Sequence, residues 1–224
     1  NNLNVISWEG IMAHLKVFGT PTSPPTRIAR VAGIEFGHDV ELCQMAWRIS
    51  PKELFELNPA GRVPVLMHDE VMIWDSRQIW SYIELLADSK PHESVREING
   101  PHRWREANIV TLGYELMGAM MVVRGMEEKP AISDHPYLHR SIERRDHCLK
   151  MLDEMAASGW LVDPATFGLA EAVTICATDA LVGREVIDIN NYPFLSGVRM
   201  RYSTRKSLVD TLGNYYPGQR GGQS

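Results

Sequence analysis

Ser23 is followed by Pro24, Pro25 and Arg27, which places its hydroxyl at or just before the first turn of a helix, where prolines are tolerated and a serine makes a good N-cap. Thr20 and Thr22 are rival hydroxyls on the same loop, and no tyrosine or cysteine stands there. Further on, Asn58-Pro59-Ala60-Gly61-Arg62 crowds turn formers ahead of Val63-Pro64-Val65-Leu66. Pro64 cannot donate a ladder hydrogen bond and so belongs at a strand start or edge, which leaves the backbone groups of Val63 unpaired. A second strand, Val71–Trp74, returns after the Asp69-Glu70 turn and runs directly into a helix opened by Asp75-Ser76. Asp75 with Gln78 makes a capping box, a stabilising feature in its own right. A free strand edge beside a helix N-terminus suits an extended, peptide-like ligand that carries a carboxylate.

The elements that position these residues come in a definite order. Leu15–Phe18 alternates briefly as a strand, and Ile28, Val31 and Ala32 recur at helical spacing, with Gly33 expected as the residue after the helix end. Val40 and Leu42 alternate with polar residues in a second strand, completing a β-α-β unit with parallel strands. Ser50-Pro51-Lys52-Glu53 is a capping box for a short helix carrying Leu54, Phe55 and Leu57 into the Asn58 turn. After the helix ending at Leu86 no strand pattern is convincing. Arg103–Gly125 and Tyr137–Ala157 are long helical candidates, the second with Leu138, Ile142, Leu149, Leu152 and Met155 on one side. Leu169–Val182 is apolar nearly all round, as a helix inside a bundle would be, and 192–201 and 204–212 add two shorter helices.

In this order and spacing, the Ser-Pro-x-x-Arg loop, the Asn-Pro-x-Gly-Arg-Val-Pro-Val-Leu run and the Asp-Ser pair resemble the cytosolic glutathione transferases, most closely over Leu15–Leu86 and more loosely to about Leu212. The resemblance implies an α/β plus all-α chain. Residues 15–86 would form a thioredoxin-like domain of order βαβαββα, 87–102 a linker, 103–212 an all-helical domain and 213–224 a tail. Residues 1–14 read as an N-terminal extension foreign to the fold, with Met12 a natural start. It further implies that glutathione is the co-substrate, that Pro64 is cis, and that Val63 pairs with the cysteinyl backbone of the tripeptide. Ser76 would meet the γ-glutamyl carboxylate, with Asp75 near the amine, and Ser23 would donate a hydrogen bond to the sulfur. That chemistry has a reasonable scale. Lowering a thiol pKa by two units takes roughly 2.7 kcal/mol of preferential thiolate stabilisation, which one hydroxyl plus a helix N-terminus can supply.

Tyr114, Met117, Met120 and Met121 fall on the helix that flanks the acceptor pocket in the resembled family, and with Pro25 they are candidates for binding an apolar electrophile. A methionine stripe is more often part of a core or an interface, although adaptable thioethers also suit a pocket for varied apolar molecules. Two departures from the family stand out. The usual Ser-x-x-Asp box at the start of the buried helix reads Gly168-Leu169-Ala170-Glu171, and the common Arg-Pro near the last helices reads Arg205-Lys206.

Composition bounds the rest. The 224 residues are 44% hydrophobic and 23% charged, globular values, and no apolar run of membrane-spanning length is evident. A net charge of -5 argues against nucleic acid as the main partner, and Arg199, Arg201, Arg205 and Lys206 read as a solvated helix face. Three separated cysteines, Cys43, Cys148 and Cys176, suggest neither a disulfide framework nor a dithiol centre and fit a reducing cytoplasm. His135 and His139 are four apart, but Pro136 intervenes and no metalloprotease motif surrounds them, so no metal is expected. The resemblance implies a homodimer. Three activities remain open: conjugation of glutathione to small apolar electrophiles, specialised glutathione chemistry such as ether cleavage, dehalogenation or isomerisation, and a non-catalytic module that binds ligands or proteins.

Overall fold

A computed structural model describes residues 15–45, 51–87, 95–96, 99–127 and 134–215. Strand β1 (Leu15–Gly19) leads through the Thr20–Ser23 turn into helix α1 (Pro24–Glu35), then β2 (Val40–Gln44), α2 (Pro51–Leu57), β3 (Val65–His68), β4 (Val71–Trp74) and α3 (Ser76–Leu86). This is the expected βαβαββα order, and the four strands lie as β2-β1-β3-β4. β1 runs parallel to β2 and antiparallel to β3, which is antiparallel to β4. The Val63–Pro64 bond is cis. The ladder begins at Val65 rather than Val63, as a proline without an amide hydrogen requires.

The remainder is helical: α4 (Arg103–Glu127), α5 (Pro136–Met155), α6 (Leu169–Gly183), α7 (Pro193–Arg201) and α8 (Lys206–Asp210). α4 packs along α5 and α6, and α6 also packs against α1, so all of its residues are buried except Asp179, Val182 and Gly183, which are partly so. Ile28, Val31 and Ala32 of α1, Ile79 and Ile83 of α3, and Leu149 and Leu152 of α5 are all fully buried, each on the face that its helical period requires.

Four expectations need correction. Gly33 does not end α1. The helix continues to Glu35, and the left-handed glycine is Gly37 with φ 76°. Gly33 is glycine because α1 crosses β2 so closely that a Cβ there would overlap the Val40 side chain. The basic cluster is not simply a solvated face. Arg199 pairs with Asp179 at 2.6 Å and Arg205 with Glu35 at 2.6 Å, each tying a late helix inward. A run long and apolar enough to cross a membrane does exist. The helix over Arg103–Met126 qualifies by length and composition, although it is partly buried in the fold and packs along α5 and α6 as the spine of the helical domain. Finally, the capping-box partner expected for Asp75 was Gln78, whereas its carboxylate accepts from the Arg77 amide at 2.9 Å. The Ser50 cap and Met12 lie outside the described residues.

Within the stretch read as a linker, Val95 and Arg96 are buried. The Arg96 amide donates to the Phe167 carbonyl at 2.8 Å, and the guanidinium reaches Glu106 of α4 at 2.9 Å, Glu171 of α6 at 2.5 Å and Asp163 at 3.3 Å. The glycine that opens α6 has its reason here. A Cβ on Gly168 would stand 2.5 Å from Glu106 Oε1 and 2.7 Å from Arg96 Nη2. The missing serine cap is replaced from both sides: Glu171 accepts from the Gly168 amide at 2.9 Å, and Glu106 accepts from the Ala170 amide at 3.2 Å.

Candidate glutathione site

Strand register alone gathers the candidate residues. Phe18, at the C-terminal end of β1, pairs with Val65, and Val65 pairs with Trp74. The Thr20–Ser23 loop, the Val63-Pro64 approach and the Asp75-Ser76 turn therefore leave the sheet at one edge. The N-termini of α1 and α3 point to that edge, but α1 opens on Pro24-Pro25, which carry no amide hydrogen, and its Thr26 and Arg27 amides already bond Ser23, so its contribution is the helix dipole and the Ser23 side chain.

Ser23 is the N-cap of α1 and half-buried. Its oxygen accepts a long bond, 3.4 Å, from the Thr26 amide, which leaves the hydroxyl hydrogen available for another acceptor. The geometry leaves this side chain able to cap the helix and still donate its hydrogen to an anion. The loop is held from behind: the Ser23 amide donates to the Thr20 carbonyl at 3.1 Å, and Arg184 Nη2 of the loop after α6 donates to the Thr22 carbonyl at 2.7 Å. Pro25 occupies the first turn of α1, half-buried.

The Val63-Pro64 approach is shaped by the turn before it. Asn58, 2% exposed, donates through its amide to the Arg62 carbonyl at 2.7 Å and accepts from the Ala60 amide at 2.9 Å, while Gly61 adopts φ 62° over the Phe55 ring. Trp74 Nε1 ties β4 to the Leu57 carbonyl at 2.9 Å. Val63 stands beyond the paired rungs of the sheet, half-buried.

Asp75 has φ 69° and ψ 125°, a conformation that costs on the order of 1–3 kcal/mol for a residue with a side chain. The turn is held by a fork, Arg77 Nε and Nη2 donating to the Asp75 carboxylate at 3.1 and 2.8 Å. Burial works against the Asp75 charge, but these bonds and the Arg77 amide hold its carboxyl below the ordinary carboxylate range. Ser76 is 1% exposed, and its hydroxyl lies 2.5 Å from the Tyr114 hydroxyl of α4. The Arg77 guanidinium lies over the Tyr114 ring, 4.5 Å from its centre.

The acceptor-pocket candidates separate. Tyr114 turns to Ser76, Met117 is 5% exposed within the core, and Met121 is 54% exposed. His135 caps α5 and His139 meets Asp134 at 3.0 Å. The three cysteines are free, and burial raises each thiol above its ordinary value, Cys176 to about 12, so none is a ready nucleophile. Two residues escaped the sequence. Arg77 adjoins the quoted motif, but positions two apart on a helix do not normally meet, and its pairing needs Asp75 outside the helix. Arg184 acts on Thr22 across 162 residues, with no local signal.

Residues 17–91 match the glutathione S-transferase N-terminal domain family. A search of curated proteins found no match. Among solved structures, the chain is similar to a glutathione S-transferase from Methylobacillus flagellatus with glutathione bound: TM-score 0.79 and 22% identity over 89% of this chain and 99% of that one. A Methylobacterium radiotolerans glutathione S-transferase in complex with glutathione sulfonate gives TM-score 0.80 and 20% identity over 94% and 99%. A glutathione transferase family member from Pseudomonas fluorescens, with bound S-(propanoic acid)-glutathione, gives 0.72 and 25% over 89% and 99%.

Proposed function

We propose that the chain, whose residues 17–91 match the glutathione S-transferase N-terminal domain family and whose whole fold is similar to solved glutathione S-transferases, is a member of that superfamily and catalyses attack of glutathione thiolate on a small apolar electrophile. The observation that carries this reading is the meeting of Ser23, Val63-Pro64 and Asp75-Ser76 at one sheet edge, between two helix N-termini. In the proposed complex the peptide extends along Val63, its γ-glutamyl carboxylate meets Ser76 at the start of α3, and its amine approaches Asp75. The Ser23 hydroxyl then donates to the sulfur while its oxygen still accepts from Thr26. The bound complexes of the similar structures support glutathione as the ligand.

Ultraviolet titration of the glutathione complex tests the reading before any acceptor is known. Thiolate absorbance appearing one to two pH units below that of free glutathione supports activation. Binding with an unshifted titration refutes it in favour of a carrier or interaction module.

We further infer a homodimer in a reducing cytoplasm. Leu85 of α3 at 84% exposure and Trp104 and Met121 of α4 at 70% and 54% are large apolar side chains left to solvent on these two helices, which a second copy would cover. A sedimentation mass of a single chain at micromolar concentration would refute this.

A further inference from the structure

Ser76 has one hydroxyl hydrogen, and its bond with Tyr114 can run in only one of two directions. If Ser76 donates to Tyr114, no side-chain hydrogen remains on Ser76 for an anion at the start of α3, only its backbone amide. If Tyr114 donates, the Ser76 oxygen is satisfied from the protein side and its hydrogen faces the ligand. The surroundings favour Tyr114 as donor. Burial pushes its phenol well above the usual range, only partly offset by Ser76, so the hydroxyl stays protonated at any working pH. The Arg77 cation lies over the ring, and a ring beneath a cation is a poorer place for an acceptor oxygen and a better one for an acidic hydrogen. Asp75, Ser76 and Arg77 are consecutive, so one aromatic side chain from α4 braces the whole turn that opens α3.

We propose that Tyr114 is a positioning residue for the γ-glutamyl carboxylate, its hydroxyl donating to Ser76 so that the Ser76 hydrogen points to the ligand. This rests on the glutathione reading above. It moves Tyr114 from the acceptor pocket to the co-substrate site, and it makes α4 of the helical domain a contributor to glutathione affinity. Aligned donors of this kind polarise one another, so the chain Tyr114 to Ser76 to carboxylate holds the anion more firmly than an isolated serine.

The test measures dissociation constants of the full-length protein for two tripeptides, glutathione and γ-aminobutyryl-cysteinyl-glycine. The second keeps the amine and thiol but lacks the γ-glutamyl carboxylate. Tyr114→Phe is expected to weaken glutathione binding on the order of three- to tenfold, to change binding of the analogue less than twofold, and to leave the pKa of the bound thiol unmoved. In a Ser76→Ala background the effect of Tyr114→Phe should disappear. Equal losses for both tripeptides, or a loss that persists without the Ser76 hydroxyl, would show that Tyr114 acts by packing and overturn the proposal. So would unchanged glutathione affinity in Tyr114→Phe, and in each of these cases the glutathione reading would stand. No glutathione binding by the unsubstituted protein overturns both.

Discussion

Replacing Gly168 by serine installs the residue type that usually opens the corresponding helix in the glutathione transferases this chain resembles, and it should nevertheless destabilise the protein. A serine cap ordinarily contributes about 1 kcal/mol. Here the new Cβ would sit 2.5 Å from Glu106 Oε1 and 2.7 Å from Arg96 Nη2, and neither atom is free to retreat. Arg96 binds Glu106 through two bonds of 2.9 and 3.0 Å and Glu171 through one of 2.5 Å, with all three side chains almost wholly buried. Displacement therefore opens part of a buried ion cluster, whose full rupture costs about 3–5 kcal/mol because it strands a charge. Set against a cap of about 1 kcal/mol, the net loss should reach up to about 2–4 kcal/mol, the value for full rupture, or up to roughly 4–16 °C in Tm for a chain of this size. Thermal and urea unfolding followed by circular dichroism measures it. Gly168→Ala carries the same Cβ without the hydroxyl and should be worse by about the value of the cap. A serine variant more stable than the parent, or an alanine variant within a degree of it, would mean that the guanidinium moves aside freely and would refute the reasoning.

Ser23→Ala should leave glutathione affinity nearly unchanged while raising the bound thiol's pKa by about one to two units, with neutral-pH turnover falling on the order of ten- to a hundredfold and partly recovering at higher pH. Ser23→Cys should divert the protein to mixed disulfides with glutathione, detectable by mass. Arg184→Met frees the Thr22 carbonyl and should reproduce the Ser23→Ala rise in thiol pKa in milder form, below one unit, without shifting the dissociation constant beyond twofold. Asp179→Ala strands the buried Arg27 guanidinium and should cost about 3–5 kcal/mol in urea unfolding; a loss under 1 kcal/mol would show that Thr211 and the Leu208 carbonyl suffice as partners.

The fold was legible where local chemistry and tertiary demand agree. The Val-Pro run, the period-two strands and the all-round apolar α6 each have a single packing solution, and each sits as its pattern required. Gly33 and Gly168 show where legibility ends. Both look like helix punctuation, yet each is glycine because another element comes too close, Val40 in one case and Arg96 with Glu106 in the other. That reason lies in distant residues, so no window of sequence contains it. The late arginines misled in the same way: charge spacing cannot distinguish a wet face from a side chain whose carboxylate waits on a helix more than a hundred residues earlier, as Glu35 waits for Arg205. At the site, the side chains sharing a motif were readable, whereas Tyr114 on Ser76 and Arg184 on Thr22 join separate parts of the chain.

Helix α1 belongs to both halves of the molecule, and this limits how the protein could be recombined. Its first residues face the sheet edge, but Arg27 reaches Asp179 at 2.7 Å and the Leu208 carbonyl at 2.9 Å, and Glu35 receives Arg205 at 2.6 Å together with the Ser207 hydroxyl. A thioredoxin-like half cut out and joined to a foreign helical partner would carry a buried cation and a buried anion whose counterparts stayed behind. The two halves are thus not interchangeable cassettes. A working chimera has to bring Asp179, Arg205 and Ser207 along with Arg27 and Glu35, so the crossover that preserves function runs through side-chain pairs rather than through the linker.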